Sequence, residues 1–284
     1  MAARNAPTGR HRRLATELRR MREQAGLSVQ EAASLLGADR TMISNIEAGR
    51  TGISDERVRQ LACHYGCPEP ALVDALAGLT GPRRAGQWWD EYRGRLPDGH
   101  LEVSEVEHYA TRIRTAQTVH LPGLLQTEEH ARAIFELTVP KLSRLDVELR
   151  TAHRLRRQAI LTGEHPTPYV GIIHEAALRL QFGGPDVARK QLTHLADSAD
   201  HDNVTLLVIP FSAGAFHGAG QSVLYAEGAL PQLDTVQLDT ALGAHFVDAP
   251  IPLANYRSLL DLMERSALPP KESQELIRSI AREC

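Results

Sequence analysis

The chain has 284 residues, of which 42% are apolar and 24% charged. It is longer than one typical domain and has the balance of a folded globular protein. No stretch approaches the roughly eighteen apolar residues of a membrane span, and the basic N-terminus has no apolar run behind it to form a signal peptide. A cytoplasmic protein with no membrane contact is therefore expected. The net charge of −3 hides an asymmetry: residues 1–65 hold eleven arginines against seven acids, a net of +4, which leaves −7 for the rest of the chain. A basic end on an acidic body points to an electrostatic footprint confined to one domain; the bland alternative is a solvated arm.

Residues 1–9 read as a disordered basic arm. From His11 to Gln24 an amphipathic pattern predicts a helix with Leu14, Leu18 and Met21 on one face and arginines on the other, stopped by Gly26. Ser28 with Glu31 three residues later predicts a capping box. The short helix behind it carries Ala32, Ala33, Leu35 and Leu36 as its small or apolar positions, and Gly37 ends it. Asp39 is a good N-cap for a second short helix, in which Ile43 and Ile46 form a one-turn apolar stripe. The other face presents Arg40, Thr41, Ser44 and Asn45, side chains that read base edges or hold phosphates. Gly49 closes this helix. Two short helices joined by a tight glycine-containing turn are the sequence form of a helix-turn-helix. Ser54 caps a further helix through Tyr65 with Val58, Leu61 and Ala62 inward, and Pro70 to Leu79 supply a fifth.

The stretch from His11 to about Leu79 resembles the lambda-repressor or Cro type of DNA-binding domain, the Xre family. The residues that carry the resemblance are Gly26-Leu27-Ser28, Glu31-Ala32-Ala33, Leu36-Gly37 and Ile43-Ser44-Asn45-Ile46-Glu47-Ala48-Gly49-Arg50. It implies that Arg40, Thr41, Ser44 and Asn45 face the major groove of double-stranded DNA, with Met42 on the flank. It also implies that Val29 and Gln30 offer free amides to a phosphate at a helix N-terminus, that Arg50 holds backbone phosphate, and that Glu47 forms an internal ion pair. For Ser44 a hydroxyl bonded back into its own helix is the competing reading. Such domains read half-sites as dimers, so a homodimer is expected.

Thr80 to Gln87, rich in Gly and Pro, is expected to be a linker, which gives a DNA-binding domain at 10–79 and a second domain at 88–284. Trp88-Trp89-Asp90-Glu91-Tyr92 could be a stacking platform for bases, but with little basic interleaving a packed aromatic anchor is preferred. Residues 102–116 read as a helix with Val103, Val106, Tyr109, Ala110 and Ile113 on one face. Thr127 caps another helix to about Leu137. A long helix over 142–162 should bury Leu142, Leu145, Leu149, Ala152 and Ile160. Strands are expected only after Pro166, at Tyr169–His174, Val204–Pro210, Gln221–Ala226, Thr235–Asp239 and, joined by a turn at Leu242-Gly243, Ala244–Val247. Helices near 176–181, 185–199, 252–267 and 271–282 intervene. The fold class is thus α+β: an all-α five-helix head followed by a mixed domain with a small sheet and flanking helices.

The second half is similar to a domain that follows Xre headpieces in bacterial toxin–antitoxin-like regulators. The matching residues are the Trp-Trp…Tyr run, Arg112-Ile113-Arg114, Leu121 through Glu128, and Asn203-Val204-Thr205 leading into Ile209 through Gly214. The resemblance implies a small partner protein encoded nearby. A domain that senses such a partner or a small molecule is expected, with an antitoxin that sequesters the partner as the alternative. No motif for catalysis, a metal or a cofactor is found. There is no Gly-x-Ser-x-Gly elbow, no phosphate loop, and His174-Glu175 lacks the second histidine of a zinc helix. Cys63-His64 with Cys67 reads as buried helical cysteine rather than a metal site. Three cysteines make no disulfide framework. Phe211 to Gly220, with Ser212 and His217, is the one loop that could line a pocket, so a hydrolase or transferase is the remaining enzymatic alternative.

Overall fold

The computed structural model describes residues 9–80, 87–240 and 243–284. The expected arm at 1–9 and linker at 80–87 fall largely outside the described residues, as does Leu242 of the expected turn. The chain divides into two compact units, Met1–Glu91 and Tyr92–Cys284, and no helix of the described residues is long and apolar enough to cross a membrane.

Among the described residues the first unit holds five α-helices: α1 (Gly9–Gln24), α2 (Val29–Leu36), α3 (Arg40–Glu47), α4 (Asp55–His64) and α5 (Pro70–Gly78). Their starts are chemical. Ser28, Asp39 and Ser54 each accept a hydrogen bond from the amide three residues on, which satisfies one of the orphan donors of a helix N-terminus. The interior is built from Leu14, Leu18, Met21, Ile43, Ile46, Val58, Leu61, Leu72 and Leu76. Each such side chain contributes roughly 1.5–3 kcal/mol by leaving water. Ala32 and Ala33 are fully enclosed, and these small residues let α2 lie close against α3 and α4. Two expectations need correction. Leu35 is 43% exposed: neighbouring residues of a helix point about 100° apart, and the inward side of α2 is taken by Ala32 and Ala33. The arginines of α1 are not all on the solvent side: Arg13 and Arg22 are buried among the core residues.

The second unit is a six-stranded sheet with helices on both faces. It contains α6 (Asp98–Tyr109), β1 (Arg112–Gln117), α7 (Glu128–Glu136), α8 (Arg144–Arg157), α9 (Ala159–Thr162), β2 (Tyr169–His174), α10 (Glu175–Arg179), α11 (Pro185–Ser198), β3 (Val204–Ile209), β4 (Val223–Glu227), β5 (Thr235–Thr240), β6 (Gly243–Val247), α12 (Pro250–Arg265) and α13 (Pro270–Glu283). The strand order is β3-β2-β1-β4-β5-β6. β1, β2 and β3 are parallel neighbours, and β4, β5 and β6 run antiparallel in turn from β1 outward. Strand alternation assigns the two faces. Ile113, Tyr169 and Ile173 share a core with Leu192 and Leu195 of α11 and Ile277 and Ile280 of α13. Ala116, Val170, Ile172, Tyr225 and Val236 share the other with Leu253, Leu260 and Met263 of α12. The α+β class is as expected.

The central strand is the main correction. Residues 112–117 are not the end of a helix over 102–116; the chain leaves helix at Ala110 and enters β1 between β2 and β4. Arg114 on this strand is 4% exposed. Its guanidinium donates to Asp261 (2.8 Å) and Glu264 (2.7 Å) of α12, a partnership nearly 150 residues away in sequence that overrides local helical preference. The long helix over 142–162 is also revised. It breaks at Gln158 into α8 and α9. Leu145 is 66% exposed, Leu149 half-buried and Ala152 exposed; the buried residues of α8 are Val147, Thr151 and His153.

Candidate nucleic-acid interface

The hinge of the first unit is the turn between α2 and α3. The Ser28 hydroxyl accepts from Glu31 N (3.2 Å) while the Glu31 carboxylate accepts from Ser28 N (2.7 Å), so both ends of the capping box close. These bonds draw the Glu31 carboxyl below its ordinary pKa, the Ser28 side chain contributing most. Gly37 takes a left-handed conformation, φ +63°, and hands the chain over to the Asp39 cap, whose carboxylate accepts from Met42 N at 2.8 Å. At the far end Gly49, φ +68°, lets Arg50 N and Thr51 N bond to Asn45 O at 2.9 and 3.3 Å. Both termini of α3 are therefore fixed.

What that rigid helix offers to solvent is polar. Ile43 and Ile46 are buried, Arg40, Thr41 and Ser44 are exposed, and Met42 and Asn45 are half-buried. Arg40 has no acidic partner among the described ion pairs, and among the described hydrogen bonds it is Ser34 (to Gln30 O, 3.1 Å) rather than Ser44 that bonds back into its helix. Both side chains are open to a ligand. Val29 is half-buried and Gln30 exposed in the first turn of α2. Arg50 is exposed in the loop after α3.

One residue near this face was missed. Arg57, exposed in the first turn of α4, directs its guanidinium at the Met42 sulfur (3.8 Å), which places a further cation beside the solvent face of α3. Its signal was the Ser54 cap: the third residue after an N-cap sits in the first turn, so an arginine there was placeable. Glu47 takes the internal role expected of it, joined to Arg22 by two hydrogen bonds of 2.7 and 2.9 Å.

Other candidate positions hold less chemistry. Cys63 is exposed and Cys67 half-buried, contrary to the expected buried pair: Cys63 sits on the outward face of α4, next to Leu61 and Ala62, which turn inward. No cluster of three metal-ligating residues occurs among the described residues. Trp88 and Trp89 meet edge to face, ring centroids 5.6 Å apart, with Trp89 5% exposed. In the second unit Ser212 and His217 are both exposed. The loop that carries them is entered by the Glu175 carboxylate, which accepts from Phe211 N at 2.9 Å, and by His174, stacked on Phe216 at 5.1 Å.

Comparison with protein families matches residues 13–76 to the family described as a helix-turn-helix domain. Residues 101–279 match the family described as a domain of unknown function (DUF5753). Neither the curated proteins nor the solved structures yield a match.

Proposed function

The chain belongs to the family described as a domain of unknown function (DUF5753), and from that premise, with a helix-turn-helix domain ahead of it, we propose that it is a sequence-specific DNA-binding transcriptional regulator. The second unit, in this reading, receives a signal from a small molecule or a small partner protein and does no catalysis. The observation that carries the proposal is the solvent face of α3, where Arg40, Thr41 and Ser44 stand exposed on a helix whose two ends are fixed by Asp39 and Gly49. An arginine so placed can hold a guanine by its O6 and N7 acceptors. The net +4 of residues 1–65 supplies the sequence-independent part of the attraction. Val29, Gln30 and Arg50 are read as phosphate contacts that set register, and Thr41, Met42, Ser44 and Asn45 as neighbours of the base edges.

In this reading the chain binds as a homodimer to two half-sites one helical turn apart, as dimeric helix-turn-helix proteins do. The exposure of Ser212 and His217 supports the non-catalytic reading of the second unit. The test is selection of the bound sequence from random DNA, followed by titration of variants. Arg40→Ala should weaken the selected site by about 1–3 kcal/mol and lose preference at one base pair. Arg40→Ala and Asn45→Ala variants that bind the selected site like the parent chain would overturn the assignment.

A further inference from the structure

α8 is unusual for a helix packed on a core, because one side of it carries three half-buried arginines beside the buried Thr151. Arg150, Arg154 and Arg157 recur at spacings of four and three, so they share one side. Glu107 answers only one of them, accepting from Arg157 Nε at 2.8 Å. Arg154 receives a neutral partner instead: its Nη1 donates to Gln126 Oε1 at 2.7 Å, and Gln126 is held in that orientation by its own amide donating to Leu121 O at 2.7 Å. The guanidinium lies over the Phe135 ring, 4.2 Å from its centroid. Its Nε is enclosed without an acceptor. Of the acids whose field reaches it, Glu107 is spent on Arg157, and Asp239 accepts from Gln237 at 2.7 Å.

Two buried groups near Arg154, one a turn away on α8 and one close enough to feel its charge, lack partners as well. Thr151, one turn before Arg154 on the same face, is 2% exposed with its hydroxyl unsatisfied. His130 of α7 is 1% exposed with both ring nitrogens unsatisfied. Buried polar atoms are almost always hydrogen-bonded, and leaving several unmet costs stability. His130 faces Phe182, ring centroids 5.7 Å apart, and Phe182 in turn meets the exposed ring of His120 at 5.1 Å. An aromatic edge thus stands between the buried polar groups and solvent. The surroundings keep His130 uncharged, burial and the nearby Arg154 charge pushing its pKa down to about 4, so it can both donate and accept.

We propose that Arg154, Thr151 and His130 form the binding site for a small organic carboxylate, with the carboxylate on Arg154 and a planar body against Phe182 and His120. A carboxylate is the group that an unneutralised guanidinium beside hydroxyl and imidazole donors selects. The site lies in the crossover between β1 and β2, and His120 follows directly on the C-terminal end of β1, the side on which open α/β sheets place their ligands. This deepens the reading of the second unit as the signal-receiving part, yet the binding itself is measurable without DNA.

The experiment is calorimetric titration of the full chain, free of DNA, with benzoate and with its uncharged counterpart benzamide. Benzoate should bind saturably and benzamide at least about tenfold more weakly. Arg154→Gln should reduce benzoate affinity by about tenfold to a hundredfold, the range of one charge-assisted hydrogen bond. Gly123→Val is a second variant, since a Cβ at Gly123 would point within 3.8 Å of Arg154 Nε and a larger side chain there should block binding with the charge retained. Absence of saturable benzoate binding, equal binding of benzamide, or full affinity in whichever of the two variants folds would overturn the proposal. A chain that binds benzoate but no DNA would keep this site and lose the regulator reading; the opposite result would do the reverse.

Discussion

Arg22 and Glu47 join α1 to the end of α3 through two parallel hydrogen bonds of 2.7 and 2.9 Å, and Arg22 also donates to Leu27 O at 2.7 Å. One guanidinium therefore holds three things at once: the first helix, the residue that leads into the helix-turn-helix, and the C-terminal turn of the recognition helix. The two side chains are 8% and 7% exposed, and the bond to Glu47 chiefly raises the Arg22 pKa. Removing one partner leaves the other charge buried and unmet, which costs about 3–5 kcal/mol for a fully enclosed pair; the residual exposure here argues for the lower end. Glu47→Gln should lower the unfolding free energy of the first unit accordingly, and DNA affinity should fall as α3 loses its anchor. A denaturant titration showing Glu47→Gln as stable as the parent would contradict this.

Arg50 and Arg57 flank the recognition face without lying on it, and both are exposed. Charges placed this way contact phosphate rather than bases. Arg50→Ala and Arg57→Ala should each weaken DNA binding to a similar degree for cognate and scrambled sequences, and each should reduce the slope of log affinity against log salt by about one. Arg40→Ala should differ in kind, changing sequence preference with the affinity. Salt-dependent fluorescence anisotropy on both DNAs separates the two behaviours. Sequence discrimination altered by Arg57→Ala would place that residue on a base instead.

The first unit was legible because its chemistry is local. Ser28, Glu31, Gly37, Asp39 and Gly49 act on residues three to five away, so a short window holds both the cause and its effect. The second unit was legible where strands alternate in β-branched residues, as in β2 and β3, and illegible where a strand is held by distant charge. Arg112-Ile113-Arg114 reads as a helical surface until Asp261 and Glu264 are brought beside it. The same physics hid the organic-anion site: Leu142, Leu145 and Leu149 suggested an ordinary apolar face for α8, whereas Thr151, Arg154 and Arg157 turn inward toward Gln126 and Glu107, partners supplied by other segments. Arg57 was missed for a smaller reason, since its place beside Met42 depends on how α4 packs.

Acid should destabilise the second unit before carboxylates become involved. His130 and His153 are each 1% exposed, and burial pushes their pKa values down to about 4 and about 3. In the unfolded chain the same imidazoles take a proton near pH 6.5. Below that value the unfolded state binds more protons than the folded one, so stability falls as pH drops from 6.5 toward 4. The slope is at most about 1.4 kcal/mol per pH unit for each histidine. Urea titrations at pH 6.5, 5.5 and 5.0 should show the decline, and His130→Gln should make it shallower. A stability independent of pH across this window would mean that the two rings are more hydrated than their burial indicates.

Gly228 is a position where a single methyl group should be costly. A Cβ there would come within 2.7 Å of Leu233 O and 2.8 Å of its carbonyl carbon, both backbone atoms that cannot rotate away. The segment between them cannot easily shift either. Gly228 N donates to Asp234 Oδ1 at 2.9 Å, while Asp234 Oδ2 accepts from Tyr225 at 2.6 Å and from Arg257 at 2.7 Å. Asp234 itself is 3% exposed, so moving the turn breaks a buried network that ties β4 to α12. Gly228→Ala should therefore destabilise the second unit by about 1–3 kcal/mol, the usual range for overpacking against a fixed neighbour. Gly52, with nothing within 4 Å of its Cβ direction, is the control, and Gly52→Ala should stay within about 0.5 kcal/mol of the parent. Equal unfolding midpoints for the two variants would show that the turn after β4 yields, and that the Asp234 network does not hold it.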